Sequence, residues 1–238
     1  MTELLFYGDS YLKTFTAQVT GVSEHGISLD RTVFYPGGGG QPCDFGVIQS
    51  GNQTLAVKRV RKVDGEIWHE IDGAPPETGA EVDGELDWER RFQLMRVHTA
   101  MHILCGVIWR DYEASVTGGN MQPLRGRMDF EFESMHKELV AEIEEKINIE
   151  VRTARLVKTA ILPRAEAFQI PDLIRTKINL LPPMIQEVRV VEIEGLDIQA
   201  DGGTHVRNTS EVGHIRVVDY KSKGKDNKRI YVEIGDKD

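Results

Sequence analysis

Two histidines four residues apart, His98 and His102, and a later Asp201-Gly-Gly-Thr-His205 segment are the residues of this chain best suited to chemistry. On a helix that spacing puts both imidazoles on one face, about one turn apart, where they can converge on one ion. Neutral imidazole is a common metal ligand at pH 7, and zinc favours nitrogen and sulfur donors in tetrahedral geometry. The run Arg96-Val-His-Thr-Ala-Met-His102 lacks the glutamate of the His-Glu-x-x-His pattern, which speaks against a zinc peptidase. Taken alone, such a pair is more often two ordinary core or surface histidines. The later segment changes that weighting. Its two glycines suit a tight turn rather than a helix interior, where each would cost about 1 kcal/mol. The strand-like run Val188–Ile193 precedes it and would present it rigidly. Three imidazoles and one carboxylate suit a single zinc ion, and a catalytic zinc usually keeps three protein ligands and one open position.

The elements that must position these residues fall into two parts. Residues 1–88 predict an all-β unit. Phe15–Val22, Gly26–Leu29, Gln53–Val60, Gly65–Glu70 and Val82–Leu86 are short alternating or β-branched runs separated by turn residues. Asp64-Gly65 marks a tight hairpin, and the close spacing of the runs suggests a small barrel. From Asp87, a plausible N-cap, the chain continues without proline or glycine up to Gly106, with Leu94, Met101 and Ile108 on a helical apolar face. A second helix is predicted from Ser134 to about Ile147, and strands at Arg127–Glu133 and Glu187–Glu194. Short helices are predicted at Ala165–Phe168 and Asp172–Thr176, broken by Pro171. Val212–Asp219 and Arg229–Ile234 read as a hairpin around a charged loop. The expected architecture is therefore α+β, with one domain over 1–88 and a second over 89–238.

Composition narrows the function classes. The 238 residues are 40% hydrophobic and 28% charged, enough to bury a substantial core. A net charge of −9 argues against broad affinity for polyanions. It leaves local basic clusters at Lys58–Lys62, Arg90-Arg91 and Lys221–Arg229, which base rates assign first to solvated faces. Two cysteines, Cys43 and Cys105, suit a reducing compartment better than a disulfide framework. No apolar run approaches the ~20 residues of a membrane span, and the N-terminus does not read as a secretion signal. A cytoplasmic protein with no membrane association is expected.

These segments resemble the editing domain of alanyl-tRNA synthetase and the freestanding AlaX editing proteins, over nearly the whole chain. Phe34-Tyr-Pro-Gly-Gly-Gly-Gly-Gln-Pro-Cys-Asp-Phe-Gly46 is similar to the glycine-rich signature of the N-terminal barrel. Arg96–Leu104 is similar to the helix carrying the histidine pair. Thr117-Gly-Gly-Asn-Met and Arg127-Met-Asp-Phe130 resemble the strand region lining the amino-acid pocket. Val188–Gly195, Asp201–Val206 and Thr209–Gly213 resemble the second metal-binding segment. Four pieces in the right order are specific, and the medium-length form with a barrel fits best.

The resemblance implies a small β-barrel followed by an editing domain of the type common to threonyl- and alanyl-tRNA synthetases. It implies one zinc ion and hydrolysis, in trans, of the ester joining a wrong amino acid, chiefly serine, to alanine tRNA. Zinc can lower the pKa of bound water or hold and orient the substrate. On this reading Thr117, with Asn120 and Gln41, would contact the substrate, since a site that bonds the serine hydroxyl discriminates against alanine. Arg127 and Asp129 would support catalysis from one strand face, the alternative being a structural ion pair. Gly37, Gly38, Gly39 and Gly40 would approach RNA or close over the site. No Gly-Lys-Ser/Thr follows them, so no nucleotide cofactor is expected. The partner would be the acceptor end of mischarged alanine tRNA, met by a monomer or homodimer. One departure matters: the synthetase pattern has cysteine where Asp201 stands. Aspartate can ligate zinc through oxygen, sit behind the ligands, or leave a three-histidine site. Two other classes fit the same residues: a zinc-dependent hydrolase of small esters or amides, and a noncatalytic RNA-binding module associated with a synthetase.

Overall fold

Alternating apolar residues in the first part of the chain close a six-stranded barrel. The computed structural model describes residues 2–176 and 184–236. Two two-residue strands, β1 (Glu3–Leu4) and β4 (Arg31–Thr32), pair with each other in parallel. The barrel consists of β2 (Thr14–Ser23), β3 (Gly26–Leu29), β5 (Gly46–Ser50), β6 (Gln53–Val63), β7 (Glu66–Ile71) and β8 (Glu81–Leu86), in the order β2-β3-β7-β6-β5-β8. Period-two alternation sends Phe15, Ala17 and Val19 of β2 inward and Thr14, Thr16 and Gln18 outward. Asp64 and Gly65 both take positive φ, 50° and 89°, as a tight hairpin turn requires. Gly84 faces Phe15 so closely that a Cβ would lie 2.1 Å from the ring, so β8 can close the barrel only with glycine there.

The barrel unit holds one buried ion pair. Arg91 and Asp44 both have fully buried side chains, with Arg91 Nε 3.0 Å from each carboxylate oxygen and Nη2 also bonded to Asp44. The remaining donors are placed on carbonyls: Nη1 on Ser10 at 3.0 Å and Nη2 on Val33 at 2.6 Å. Asp44 also accepts the Tyr35 amide at 2.6 Å, so the pair ties the glycine-rich segment to the barrel wall. That segment is a closed turn, with Gly38 and Gln41 exchanging backbone hydrogen bonds and the Tyr35 hydroxyl donating to the Gly38 carbonyl. Gly37 to Gly40 all have positive φ, a conformation only glycine adopts freely four times in succession.

The chain divides into two compact units, Met1–Gln93 and Leu94–Asp238, and the division falls within the long helix α1 (Trp88–Tyr112). Asp87 caps this helix through a hydrogen bond from the Arg90 amide. The helix does not stop at Gly106. A Cβ there would lie 2.9 Å from Leu196 and 3.0 Å from Asp197, so the glycine lets α1 press against a neighbouring hairpin.

In the second unit, β9 (Val116–Gln122), β10 (Arg125–Phe130), β14 (His214–Gly224) and β15 (Asn227–Gly235) form an antiparallel sheet in the order β14-β15-β10-β9. Gly126 leaves 2.9 Å between a notional Cβ and Met101, so α1 lies close on this sheet. Helix α2 (Lys137–Arg152) packs on β14, where Asn148 bonds both the amide and the carbonyl of Ile215. A second sheet, ordered β11-β12-β13, comprises β11 (Val157–Pro163), β12 (Glu187–Ile193) and β13 (Asp197–Ala200), with the one-turn helix α3 (Arg164–Ala167) beside it.

The fold is thus mixed α and β with a barrel-like six-stranded sheet and few helices. Several boundaries differ from expectation. Helix α2 starts at Lys137, because the His136 ring accepts the Leu139 amide as its cap, and it runs on to Arg152. Asp172–Thr176 is not helical: Asp172 has φ 56° and Thr176 bridges to Val116 in parallel. The charged C-terminal loop is mostly strand, its turn reduced to the residues between Gly224 and Asn227.

Two predictions follow from the barrel's interior. Removing one partner of the buried pair leaves an uncompensated charge, so Asp44→Ala is expected to lower the unfolding free energy by about 3–5 kcal/mol in denaturant titration. His69 is wholly buried, its ring nitrogens on the Thr32 hydroxyl (2.9 Å) and the Ile27 carbonyl (3.3 Å), and burial pushes its pKa down to about 4. With the folded value below the unfolded value of about 6.5, its contribution is complete above pH 6.5 and is lost as pH falls toward 4. Between pH 7 and 5 the parent protein should therefore lose about 2 kcal/mol more than His69→Gln, and equal slopes would refute the assignment.

Candidate metal centre

His98 and His102 extend from α1 toward Asp201 and His205, which lie just beyond β13. The expected strand Val188–Ile193 forms as β12, but β13 intervenes before the Asp201 turn and pairs Ala200 with Val190. The turn is held from β12: the buried Arg189 donates through Nη1 to the carbonyls of Asp201 (3.0 Å) and Gly203 (2.8 Å). Asp201 Oδ1 accepts the Gly203 amide at 3.1 Å, which leaves Oδ2 for the histidines.

That one oxygen lies 2.9 Å from His205 Nε2, 3.3 Å from His98 Nε2 and 3.7 Å from His102 Nε2. One candidate ligand atom from each of the four residues lies within 4.8 Å of the others; the three histidines are buried and Asp201 is partly so. A tetrahedral zinc with ligands near 2.1 Å has ligand–ligand edges of about 3.4 Å, and the Oδ2 distances scatter around that value. The donor set, N3O, is one that zinc accepts. Among the described residues this is the one group of three or more such side chains placed to hold an ion.

The far side of each ring is also occupied. His102 Nδ1 is 3.0 Å from Asp197 Oδ2, His205 Nδ1 is 3.2 Å from the Thr99 hydroxyl, and His98 hydrogen-bonds the Thr204 backbone. Thr99 also accepts the Val206 amide at 3.2 Å. With Nδ1 of His102 and His205 so engaged, their Nε2 atoms are the ones free to ligate.

Burial pushes the His98 pKa down to about 4 against the pull of Asp201, and pushes that of His205 well below the usual range. Both rings are then neutral at pH 7, the ligating form. Burial also disfavours charge on His102, but hydrogen bonds to Asp197 and Asp201 outweigh it and hold the pKa up at about 9, so this ring must give up a proton to ligate. For Asp201, burial is overcome by the three imidazoles, and its carboxyl sits well below the ordinary carboxylate range.

Comparison with known proteins shows the family. Residues 188–231 match the threonyl and alanyl tRNA synthetase second additional domain, and residues 6–90 match the class II (A) tRNA synthetases. The alanyl-tRNA editing protein AlaX-M of Saccharolobus solfataricus is 38% identical over 237 residues, covering 98% of this chain and 99% of that protein. AlaX-M of Methanosarcina barkeri is 39% identical over 99% of this chain and all of its own length. The chain belongs to the AlaX-M family of alanyl-tRNA editing proteins. The alanine–tRNA ligase of Ignicoccus hospitalis is 39% identical over 91% of this chain, which corresponds to 24% of the ligase.

The other predicted site residues of this AlaX-M chain have varied surroundings. Thr117 is exposed on β9 and donates to Asn227 Oδ1 at 3.1 Å, while Asn120 is exposed on the same strand. Asp129 is engaged by Arg229 through two bonds of 2.6 and 2.7 Å, with Arg127 3.7 Å away, so both predicted support residues sit in an ion-pair cluster. Gln41 is buried, and it and Gly37 to Gly40 lie in the barrel unit. Cys43 and Cys105 are free thiols. No described helix is long and apolar enough to cross a membrane. Sequence reasoning missed Thr99, Asp197 and Arg189. Thr99 lies inside the histidine motif, but nothing local marks the other two.

The fit predicts about one transition-metal ion per chain. In mass-spectrometric metal analysis, His98→Ala and His205→Ala should lose most of it, whereas His25→Ala, in the barrel, should retain it. Equal metal in all four proteins would refute the site.

Proposed function

We propose that this AlaX-M chain is a zinc-dependent hydrolase that acts in trans on alanine tRNA carrying the wrong amino acid, chiefly serine. The observation that carries the proposal is the convergence of His98, His102, His205 and Asp201 in a chain that aligns end to end with alanyl-tRNA editing proteins. Those four side chains would hold one zinc, whose Lewis acidity favours attack on the aminoacyl ester. The chain's own residues do the rest. Asp201, fixed by Arg189 and Gly203, brings negative charge to the cluster, and the backbone of Thr204 and the hydroxyl of Thr99 orient two of the rings.

Thr117 is our candidate for the serine hydroxyl. Its own hydroxyl is exposed and its contact to Asn227 can be exchanged for a substrate contact. Asn120 and Gln41 are secondary candidates. We assign the Gly37–Gly40 turn to contact with the RNA backbone, since it carries no side chain to obstruct approach. With a net charge of −9, recognition would rest on few phosphate contacts and on the acceptor end itself. A cytoplasmic location would suit work on aminoacylated tRNA.

The deciding measurement compares deacylation of serine-charged and alanine-charged alanine tRNA, with and without a zinc chelator. Rapid loss of serine, slow loss of alanine and abolition by the chelator are expected. Metal-replete protein that leaves the serine ester intact would refute the proposal. A small-ester hydrolase would instead cleave free serine esters as fast as the tRNA ester. In Thr117→Val, kcat/KM on the serine substrate should fall about tenfold or more while the alanine rate stays unchanged.

A further inference from the structure

The three imidazoles of the cluster differ in what stands behind them. His98 has a backbone group and His205 a hydroxyl, but His102 has a carboxylate, Asp197, at 3.0 Å from Nδ1. Asp197 is itself held through one oxygen. Its side chain is fully buried, Gln199 Nε2 donates to Oδ2 at 2.7 Å, and Oδ1 faces Arg175 Nε at 3.4 Å. Arg175 is buried in turn, its guanidinium 4.8 Å from the Trp109 ring, and Trp109 lies on the helix that carries His102. The backbone makes the same approach possible. One turn beyond His102, Gly106 leaves no room for a side chain: a Cβ would be 3.0 Å from the Cβ of Asp197 and 2.9 Å from Leu196.

From this we infer that Asp197, hydrogen-bonded by Gln199 and faced by the charge of Arg175, is a positioning residue that fixes the tautomer and orientation of His102, so that Nε2 faces the metal. An ion pair needed only for folding would have no reason to share its carboxylate with a ligand's ring nitrogen. Arg175 alone would compensate the charge, and the hydrogen bond to Nδ1 adds direction. A carboxylate behind a ligating imidazole also makes it a stronger donor, and loss of such a partner typically weakens metal binding 10–100-fold. The inference rests on the zinc reading above and assigns within it a role to residues outside the four ligands.

The test is zinc affinity, measured by competition with a chromophoric chelator, alongside thermal unfolding of the zinc-free protein. Asp197→Ala should raise the zinc Kd about 10–100-fold. Asp197→Asn keeps an acceptor for Nδ1–H but removes the charge, so it should lose less, about threefold or more. Arg175→Gln leaves the Asp197–His102 bond in place and should change the Kd less than Asp197→Ala does. Should Asp197→Ala fail to fold, Asp197→Asn reads the same quantity. A folded Asp197 variant that melts earlier yet binds zinc as the parent does would show a purely structural role and overturn the inference. A parent protein that binds no zinc would overturn the zinc reading itself. With cobalt in place of zinc, Asp197→Ala should also lose the intense visible absorption of a tetrahedral site, a signature that lowered stability alone does not alter.

Discussion

One carboxylate oxygen surrounded by three imidazole nitrogens governs the second unit. Asp201 Oδ2 sits among the Nε2 atoms of His98, His102 and His205, on a side chain only 13% exposed. Removing a carboxylate from water costs several kcal/mol unless positive charge or donors face it. The surroundings meet that cost in two directions. Gly203 takes one oxygen, Arg189 pins the carbonyls on either side of the turn, and the imidazoles take the other oxygen. The backbone of Gly203, the buried arginine on β12 and the histidine spacing on α1 all serve this single arrangement.

The helix can contribute at this point because three glycines let its surroundings come close. Gly126 and Gly119 on the sheet face Met101, and Gly106 on the helix faces the β12–β13 hairpin. A residue with a Cβ at Gly126 or Gly106 would meet a neighbouring atom at 2.9 Å and push the helix away from the elements it must touch. His98 and His102 therefore occupy places fixed by a long helix wedged between two sheets. Elements held in this way position ligands more tightly than a mobile loop would.

Much of this was readable from residue order and some was not. The helix from Asp87, the β-runs of the barrel and the Asp64-Gly65 turn depend on local periodicity and local backbone preference, so they are legible in a single sequence. The pairing of His98 and His102 with the Asp201 segment was legible because both carry ligand-type residues at suggestive spacing. Asp197 was not. It lies 95 positions from His102, in a strand only four residues long, and an aspartate at a hairpin has an adequate local explanation as a turn residue. Gly106 is explained only by packing: glycine ends helices more often than it lies within them, and the approach of Leu196 and Asp197 accounts for its place inside this one. The buried pair of Arg91 and Asp44 was hidden likewise, since its sequence neighbour Arg90 is only half-buried, on Phe45 and the Cys43 carbonyl, and order alone does not say which arginine turns fully inward.

The Arg91–Asp44 pair and the histidine cluster are matched with partners in different ways. Around Arg91 the donors and acceptors are matched: Nε meets both oxygens of Asp44, and Nη1 and Nη2 reach the carbonyls of Ser10 and Val33. Such a group is complete in itself, and its purpose is exhausted by holding the barrel together. The histidine cluster is matched only on its outer side, where Asp197, Thr99 and the Thr204 backbone receive the rings. Its inner side directs three Nε2 atoms at one oxygen that cannot satisfy all three with good geometry, as the spread from 2.9 to 3.7 Å shows. An assembly selected for stability alone would distribute those nitrogens over separate partners. Convergence of more ligand atoms than hydrogen bonding can use is an arrangement that could hold a cation, and it is the physical reason for proposing a metal here.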